Sequence, residues 1–210
     1  MKRVEFLSCQ IDLSKHSFSP RTETEFWVRE VIRKITKIKN LEALDIFAGT
    51  GCIGISILKT CSKVVQRVDF IDIWLQATEQ IKINLKLNKI KESRYMVYQS
   101  NLFEKLNGQK YDFIFANPPY VALDRIAEVE KEVLEKEPLA ALFSGKDGMV
   151  IIEKFLNQVK DYLKPAGKIF LEFDPFQKKK IEKIVKKEGI KVVFRKDQFG
   201  KCRWLEAKIP

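Results

Sequence analysis

The apolar run Tyr111-Asp112-Phe113-Ile114-Phe115-Ala116 ends in Asn117-Pro118-Pro119-Tyr120, and this ending constrains the chain more than any other stretch. The Phe- and Ile-rich run reads as a buried strand. Two prolines cannot extend it, because neither has an N–H to give to a ladder. The strand therefore stops at Asn117, with extended backbone before Pro118 and a stiff turn after it. In an open α/β sheet, a side-chain amide at the C-terminal end of a buried strand stands where ligands bind. The Asn117 side-chain oxygen and the Pro118 carbonyl can accept the two N–H groups of a planar NH2. Pro119 stiffens the turn, and the Tyr120 ring can cover the flat face. Acceptors that favour an amide nitrogen as it turns positive would lower the barrier to its reaction, an oxyanion hole with reversed polarity. Taken alone, the motif reads equally as a strand-ending turn, since Asn and Pro are common in turns.

Upstream, Leu41–Phe47 reads as a strand entering Ala48-Gly49-Thr50-Gly51-Cys52-Ile53-Gly54, followed by a helix over Ile55–Thr60. A glycine-rich strand-to-helix turn lets backbone approach a cofactor and aims helix N–H groups at it. Alone the pattern is weak. It gains weight from Arg67–Asp72, a second strand ending in a carboxylate roughly 20 residues on. Asp72 can bind ribose hydroxyls, cap the helix Trp74–Asn88, or do both. A third strand, Tyr95–Gln99, leads to Asn101 and Leu102, which either frame an adenine or form an ordinary turn.

The remaining segments fill out the pattern. Val4–Leu7 and His16–Ser19 are expected to pair as an N-terminal hairpin within residues 1–20. Thr22 and Glu25 have capping-box spacing, and Phe26, Val28, Val31, Ile32, Ile35 and Ile38 continue as a helix. Residues Asp124–Lys136 read as a charged, mobile helical lid. Helix Met149–Leu163, strand Lys168–Phe173, helix Gln177–Glu188 and strands Lys191–Arg195 and Arg203–Lys208 complete residues 21–210. The triplet Lys178-Lys179-Lys180 reads as a solvated helix face. This βαβα alternation predicts an α/β fold with a mostly parallel sheet and one antiparallel strand.

Composition excludes several classes. With 45% hydrophobic and 32% charged residues, the 210-residue chain reads as a globular protein. No apolar run approaches the ~20 residues of a membrane span and no signal-peptide core precedes the fold, so the expected location is the cytoplasm. Cys9, Cys52, Cys61 and Cys202 are scattered and His16 is the one histidine, which argues against a metal site or a disulfide framework. His16 reads as a surface residue or a general base. The net charge of +11 is either a face for RNA, the ribosome or another acidic partner, or a lysine bias spread along the helices.

Together these motifs resemble a Rossmann-like class I S-adenosylmethionine-dependent methyltransferase, and more narrowly the HemK/PrmC family of glutamine N5-methyltransferases. Pro20-Arg21-Thr22-Glu23-Thr24-Glu25 is similar to the family's Pro-Arg-Pro-Glu-Thr-Glu, and Asp45 to Ile53 to its cofactor loop. Asn117-Pro118-Pro119-Tyr120 resembles its catalytic motif. Glu137-Pro138, Gly145-Lys146-Asp147-Gly148 and Gly200-Lys201-Cys202-Arg203 resemble downstream elements. The resemblance implies a seven-stranded sheet with helices on both faces, and transfer of a methyl group to a glutamine in a peptide chain release factor, leaving S-adenosyl-L-homocysteine. It places Asp45, Phe47, Ala48, Gly49, Thr50, Gly51, Ile73, Asn101, Leu102 and Asn117 at the cofactor, with Asp72 at its ribose. Arg21, Glu23, Glu25, Asn117, Pro118 and Tyr120 would meet the substrate. The protein is expected to be a monomer.

Phe47 stands where the family has glycine, which makes it the one residue able to block the pocket. Bacterial members carry an N-terminal helical domain of about seventy residues that helps grip the release factor, and ~20 residues precede Pro20 here. The resemblance thus covers the chemistry and leaves substrate recognition open. The alternatives are methylation of an exocyclic amine in nucleic acid, of a ribosomal-protein glutamine, or a cofactor-binding scaffold with a blocked pocket.

Overall fold

The computed structural model describes residues 3–15, 19–35, 40–136 and 138–209. The chain opens on an antiparallel hairpin of β1 (Arg3–Phe6) and β2 (Cys9–Asp12), turned at Leu7 with a φ of 52°. The partner of the first strand is therefore Cys9–Asp12 and not His16–Ser19. The two-residue turn folds the next residues straight back, and Cys9 and Ile11 alternate inward with Gln10 outward. Residues 16–18, His16 among them, lie outside the described residues.

Helix α1 (Thr22–Ile35) follows, with Trp27, Val28, Val31 and Ile35 on its buried face. Thr22 lies inside the first turn, where its hydroxyl donates to Glu23 Oε2 at 3.1 Å, and the expected box with Glu25 does not form. The Glu25 N–H instead donates to the Arg21 carbonyl at 3.0 Å. Ile38 lies outside the described residues.

The main domain then alternates. Strand β3 (Leu41–Ile46) leads to α2 (Cys52–Thr60), β4 (Val65–Asp72), α3 (Leu75–Leu87), β5 (Tyr95–Gln99) and β6 (Tyr111–Ala116). A 3-10 segment (Leu123–Glu128) and two short helices, α4 (Lys131–Lys136) and α5 (Leu139–Leu142), precede α6 (Val150–Gln158). Strand β7 (Leu163–Glu172), helix α7 (Lys178–Lys187) and strands β8 (Lys191–Lys196) and β9 (Cys202–Lys208) complete the fold. Helix α6 ends before Leu163, because that residue already pairs with Tyr111 in the sheet, and the register then shifts within β7 so that Phe113 pairs with Lys168. The seven-stranded order is β5-β4-β3-β6-β7-β9-β8, parallel except for β9, which runs against both neighbours.

The sheet separates two apolar layers by the period-2 alternation of its strands. Phe113 and Phe115 of β6 join Phe6, Ile11, Trp27 and the α2 residues on one side. Ile114 and Ala116 join α6 and α7 on the other. The hairpin thus shares a core with α1 and α2. Helix α3 and Asn88, which caps its C-terminal end, also bind it through three side chains spaced four residues apart. Gln80 Oε1 accepts from the Lys15 N–H, Asn84 Oδ1 from that of Asp12 and Asn88 Oδ1 from that of Gln10, at 2.8–3.1 Å. Asn84 Nδ2 also donates to the Thr50 carbonyl at 2.9 Å, tying the hairpin to the glycine loop. No described helix is long and apolar enough to cross a membrane.

Candidate active site

Strand β3 has β4 on one side and β6 on the other, so the loops leaving β3 and β6 open a crevice where the strand order reverses. A cavity of about 1070 Å³ occupies it. Ala48, Gly49 and Thr50 form one wall with Asp72, Ile73 and Leu102, and Asn117, Pro118, Pro119 and Tyr120 form another with Arg21 and Thr24. Val129, Glu130, Val133 and Leu142, from the charged segment read as a lid and from α5, also border it.

The three loop glycines do different work. Gly49 has a φ of 55° and borders open space, with no atom within 4 Å of where a Cβ would stand. Gly51, with a φ of 75°, would bring a Cβ to 3.2 Å from Ile55 and Ile81. At Gly54 a Cβ would stand 2.4 Å from the Phe70 ring, so that glycine lets α2 lie against β4. Asp72 Oδ2 accepts the Gly49 N–H at 2.9 Å and Oδ1 the Trp74 N–H at 3.0 Å, fixing the loop and the start of α3 with one carboxylate. Burial raises the Asp72 pKa. Asp45, at the foot of the loop, accepts the Gly54 N–H at 2.8 Å. Its Oδ1 is the one buried side-chain polar atom without a hydrogen bond among the described residues. Burial, with the Asp72 charge adding to it, pushes the Asp45 carboxyl up to about 8. Neither Asp45 nor Gly51 is part of the cavity lining, so they shape the loop from behind. Phe47 lines the cavity with a φ of 61°, its ring edge-on to Phe155 at 5.9 Å, and leaves the space open. Asn101 donates its amide to Glu104 at 2.6 Å, which leaves Oδ1 to accept.

The proline corner is held by a buried carboxylate. Glu172, fully buried at the end of β7, accepts from Thr24 Oγ1 and Trp27 Nε1 at 2.7 Å through Oε2, and from the Tyr120 hydroxyl at 2.9 Å through Oε1. Burial raises the Glu172 pKa, and the three donors and the Arg203 charge oppose that rise. Burial and the Glu172 charge hold Tyr120 well above the usual phenol range, so it remains a donor. Asn117 donates Nδ2 to Thr24 Oγ1 at 3.3 Å. Gln177 Nε2 donates to the Tyr120 carbonyl at 2.8 Å, and a Cβ on Gly148 would stand 2.0 Å from that oxygen. The Gly145–Gly148 segment is thus the backing of the corner. Its companion Glu137 lies outside the described residues.

Glu23 and Glu25 are not in the lining. Glu23 accepts from Thr22, and Glu25 pairs with Arg29 at 2.5 Å. Sequence reasoning missed Thr24, Glu172 and Gln177. A signal for Glu172 was present, since a carboxylate inside the apolar run Ile169–Phe173 is buried only when partnered.

The donor set fits S-adenosylmethionine: a carboxylate for hydroxyls at Asp72, apolar Ile73 and Leu102 for a flat ring, and open space at Gly49. Fold and site define a class I S-adenosylmethionine-dependent methyltransferase. Residues 24–145 match the family model of the methyltransferase small domain. The chain is 36% identical over 190 residues to the release factor glutamine methyltransferase of Borreliella burgdorferi, covering 90% of this chain and 64% of that one. It is 32% identical over 190 residues to that of Thermodesulfovibrio yellowstonii, covering 90% and 67%. The crystal structure of a ribosomal protein L11 methylase from Lactobacillus delbrueckii shares the fold, with a TM-score of 0.67 at 17% identity over 92% of this chain and 81% of that one. The chain belongs to the methyltransferase small-domain family and, within it, to the HemK/PrmC group of release factor glutamine methyltransferases. It spans less than two thirds of the Borreliella relative's length.

Proposed function

We propose that the protein methylates the side-chain amide nitrogen of a glutamine in a peptide chain release factor. The observation that carries this reading is the commitment of the Asn117 amide nitrogen to Thr24, which leaves Oδ1 as an acceptor beside the Pro118 carbonyl, on the wall of the cavity that the glycine loop also lines. The relatives' names support the choice of a glutamine in a release factor.

When bound, S-adenosylmethionine supplies a methyl group on a positively charged sulfur. Gly49, Asp72, Ile73 and Leu102 would hold it. Asn117 Oδ1 and the Pro118 carbonyl orient the glutamine NH2 by accepting its two N–H bonds, and both attractions strengthen as that nitrogen gains positive charge. The Tyr120 ring, anchored through its hydroxyl to Glu172, covers the amide plane. The glutamine nitrogen, positively charged after accepting the methyl group, would lose its proton to water without a side-chain base.

Labelled S-adenosylmethionine offered with a release factor, a ribosomal protein and RNA tests this reading. Label is expected on a glutamine of the release factor. Label confined to RNA, or to the ribosomal protein, contradicts it.

A further inference from the structure

We propose that Thr24 and Glu172 are positioning residues that decide which end of the Asn117 amide faces the cavity, and thereby which chemical group the site admits. This rests on the glutamine reading above.

The two ends of an asparagine amide are nearly the same size and opposite in function. Oδ1 accepts and Nδ2 donates, so a half-turn about the last bond converts an acceptor site for NH2 into a donor site that repels it. Among the described residues, Asn117 has one hydrogen-bonding side-chain neighbour, Thr24 Oγ1 at 3.3 Å. A hydroxyl carries a single proton, and that of Thr24 goes to Glu172 Oε2 at 2.7 Å. Towards Asn117, Thr24 can therefore only accept, and the end that faces it must be Nδ2. Glu172 enforces this because it meets three donors, Thr24, Trp27 and Tyr120, and an ionised carboxylate has only acceptors to offer them. One buried carboxylate thereby fixes both the polarity of Asn117 and the anchor of the Tyr120 ring, from 148 residues away from Thr24 in the sequence. The consequence is a site that takes an amide NH2 and refuses the matching carboxylate.

Three variants test it: Thr24→Val, which keeps shape and removes the hydroxyl, Thr24→Ser, which keeps the hydroxyl, and Glu172→Gln. Thr24→Val is expected to lower kcat about 10²-fold with the cofactor Kd changed no more than a few-fold, and Thr24→Ser to recover most of the rate. Glu172→Gln is expected to lower kcat in the same way, again with the Kd preserved. With S-adenosylhomocysteine bound, the wild type is expected to prefer a glutamine peptide to its glutamate counterpart, Thr24→Ser to keep that preference and Thr24→Val to lose it. A Thr24→Val protein with wild-type kcat and preference overturns the proposal while leaving the glutamine reading in place. Equal loss in Thr24→Val and Thr24→Ser also overturns it, because the hydroxyl is then not what matters. A wild type that methylates no glutamine overturns both.

Discussion

Asp45 carries a charge problem that the rest of the site leaves in place. Its Oδ2 has the Gly54 N–H, its Oδ1 has no partner, and burial raises its carboxyl to about 8 from an ordinary 3.8. Between those values the folded state holds a proton that the unfolded state has released, so folding is linked to proton uptake and stability must fall as pH rises through that window. Thermal unfolding of the cofactor-free protein is expected to show a Tm that declines from about pH 5 to about pH 8, and Asp45→Asn, which still accepts the Gly54 N–H, is expected to flatten the decline. A pH profile identical in the two proteins would show that Asp45 is ionised in the fold. Residues at this scale were unequally legible. Asn117 and Asp72 stood at strand ends announced by prolines and by alternation, so position alone marked them. Thr24 is hidden because its part depends on a hydrogen bond to Glu172, and a contact spanning 148 positions leaves no local trace; the setting of Glu172 in an apolar run marks it as buried and partnered without saying by what.

Elements read from the sequence came out best where local chemistry fixes the boundary. The prolines ended β6, and the loop glycines separated β3 from α2. The hairpin partner is not legible in the sequence because Cys9–Asp12 is short and interrupted by Gln10, while the deciding fact, burial of Cys9 and Ile11 in the core shared with α2 and α3, is tertiary. The helix Met149–Leu163 was drawn too long for a similar reason, since pairing of Leu163 with Tyr111 overrides a continuing helical pattern. The glycine loop gives an element-level prediction. Gly54→Ala drives a methyl into the Phe70 ring and is expected to cost roughly 1–3 kcal/mol of stability, read by denaturant unfolding. Gly49→Ala meets no neighbouring atom and is expected instead to weaken cofactor binding, read by calorimetry, with a stability cost of about 1 kcal/mol from its positive φ. Equal effects of the two on stability and affinity would contradict this division of labour.

At the scale of the molecule, the reversal of strand order between β3 and β6 is what brings the glycine loop and the proline corner to one cavity, although some 66 positions separate Gly51 from Asn117. The sheet sets the two walls, β7 delivers Glu172 behind the second, and α3 links the hairpin to the first through Asn84. The βαβ alternation made this class of sheet legible. It did not show that α1 lends Thr24 to the corner, because helix-to-strand packing depends on the finished core. On the proposed reading, the corner serves the acceptor nitrogen and the glycine loop serves the cofactor. Single-turnover transfer to a release factor by Asn117→Ala, measured beside its cofactor Kd, tests that division most directly. Transfer is expected to fall at least about 10²-fold with the Kd within a few-fold of wild type; transfer near the wild-type rate, or a cofactor affinity that collapses with the side chain, would overturn that division.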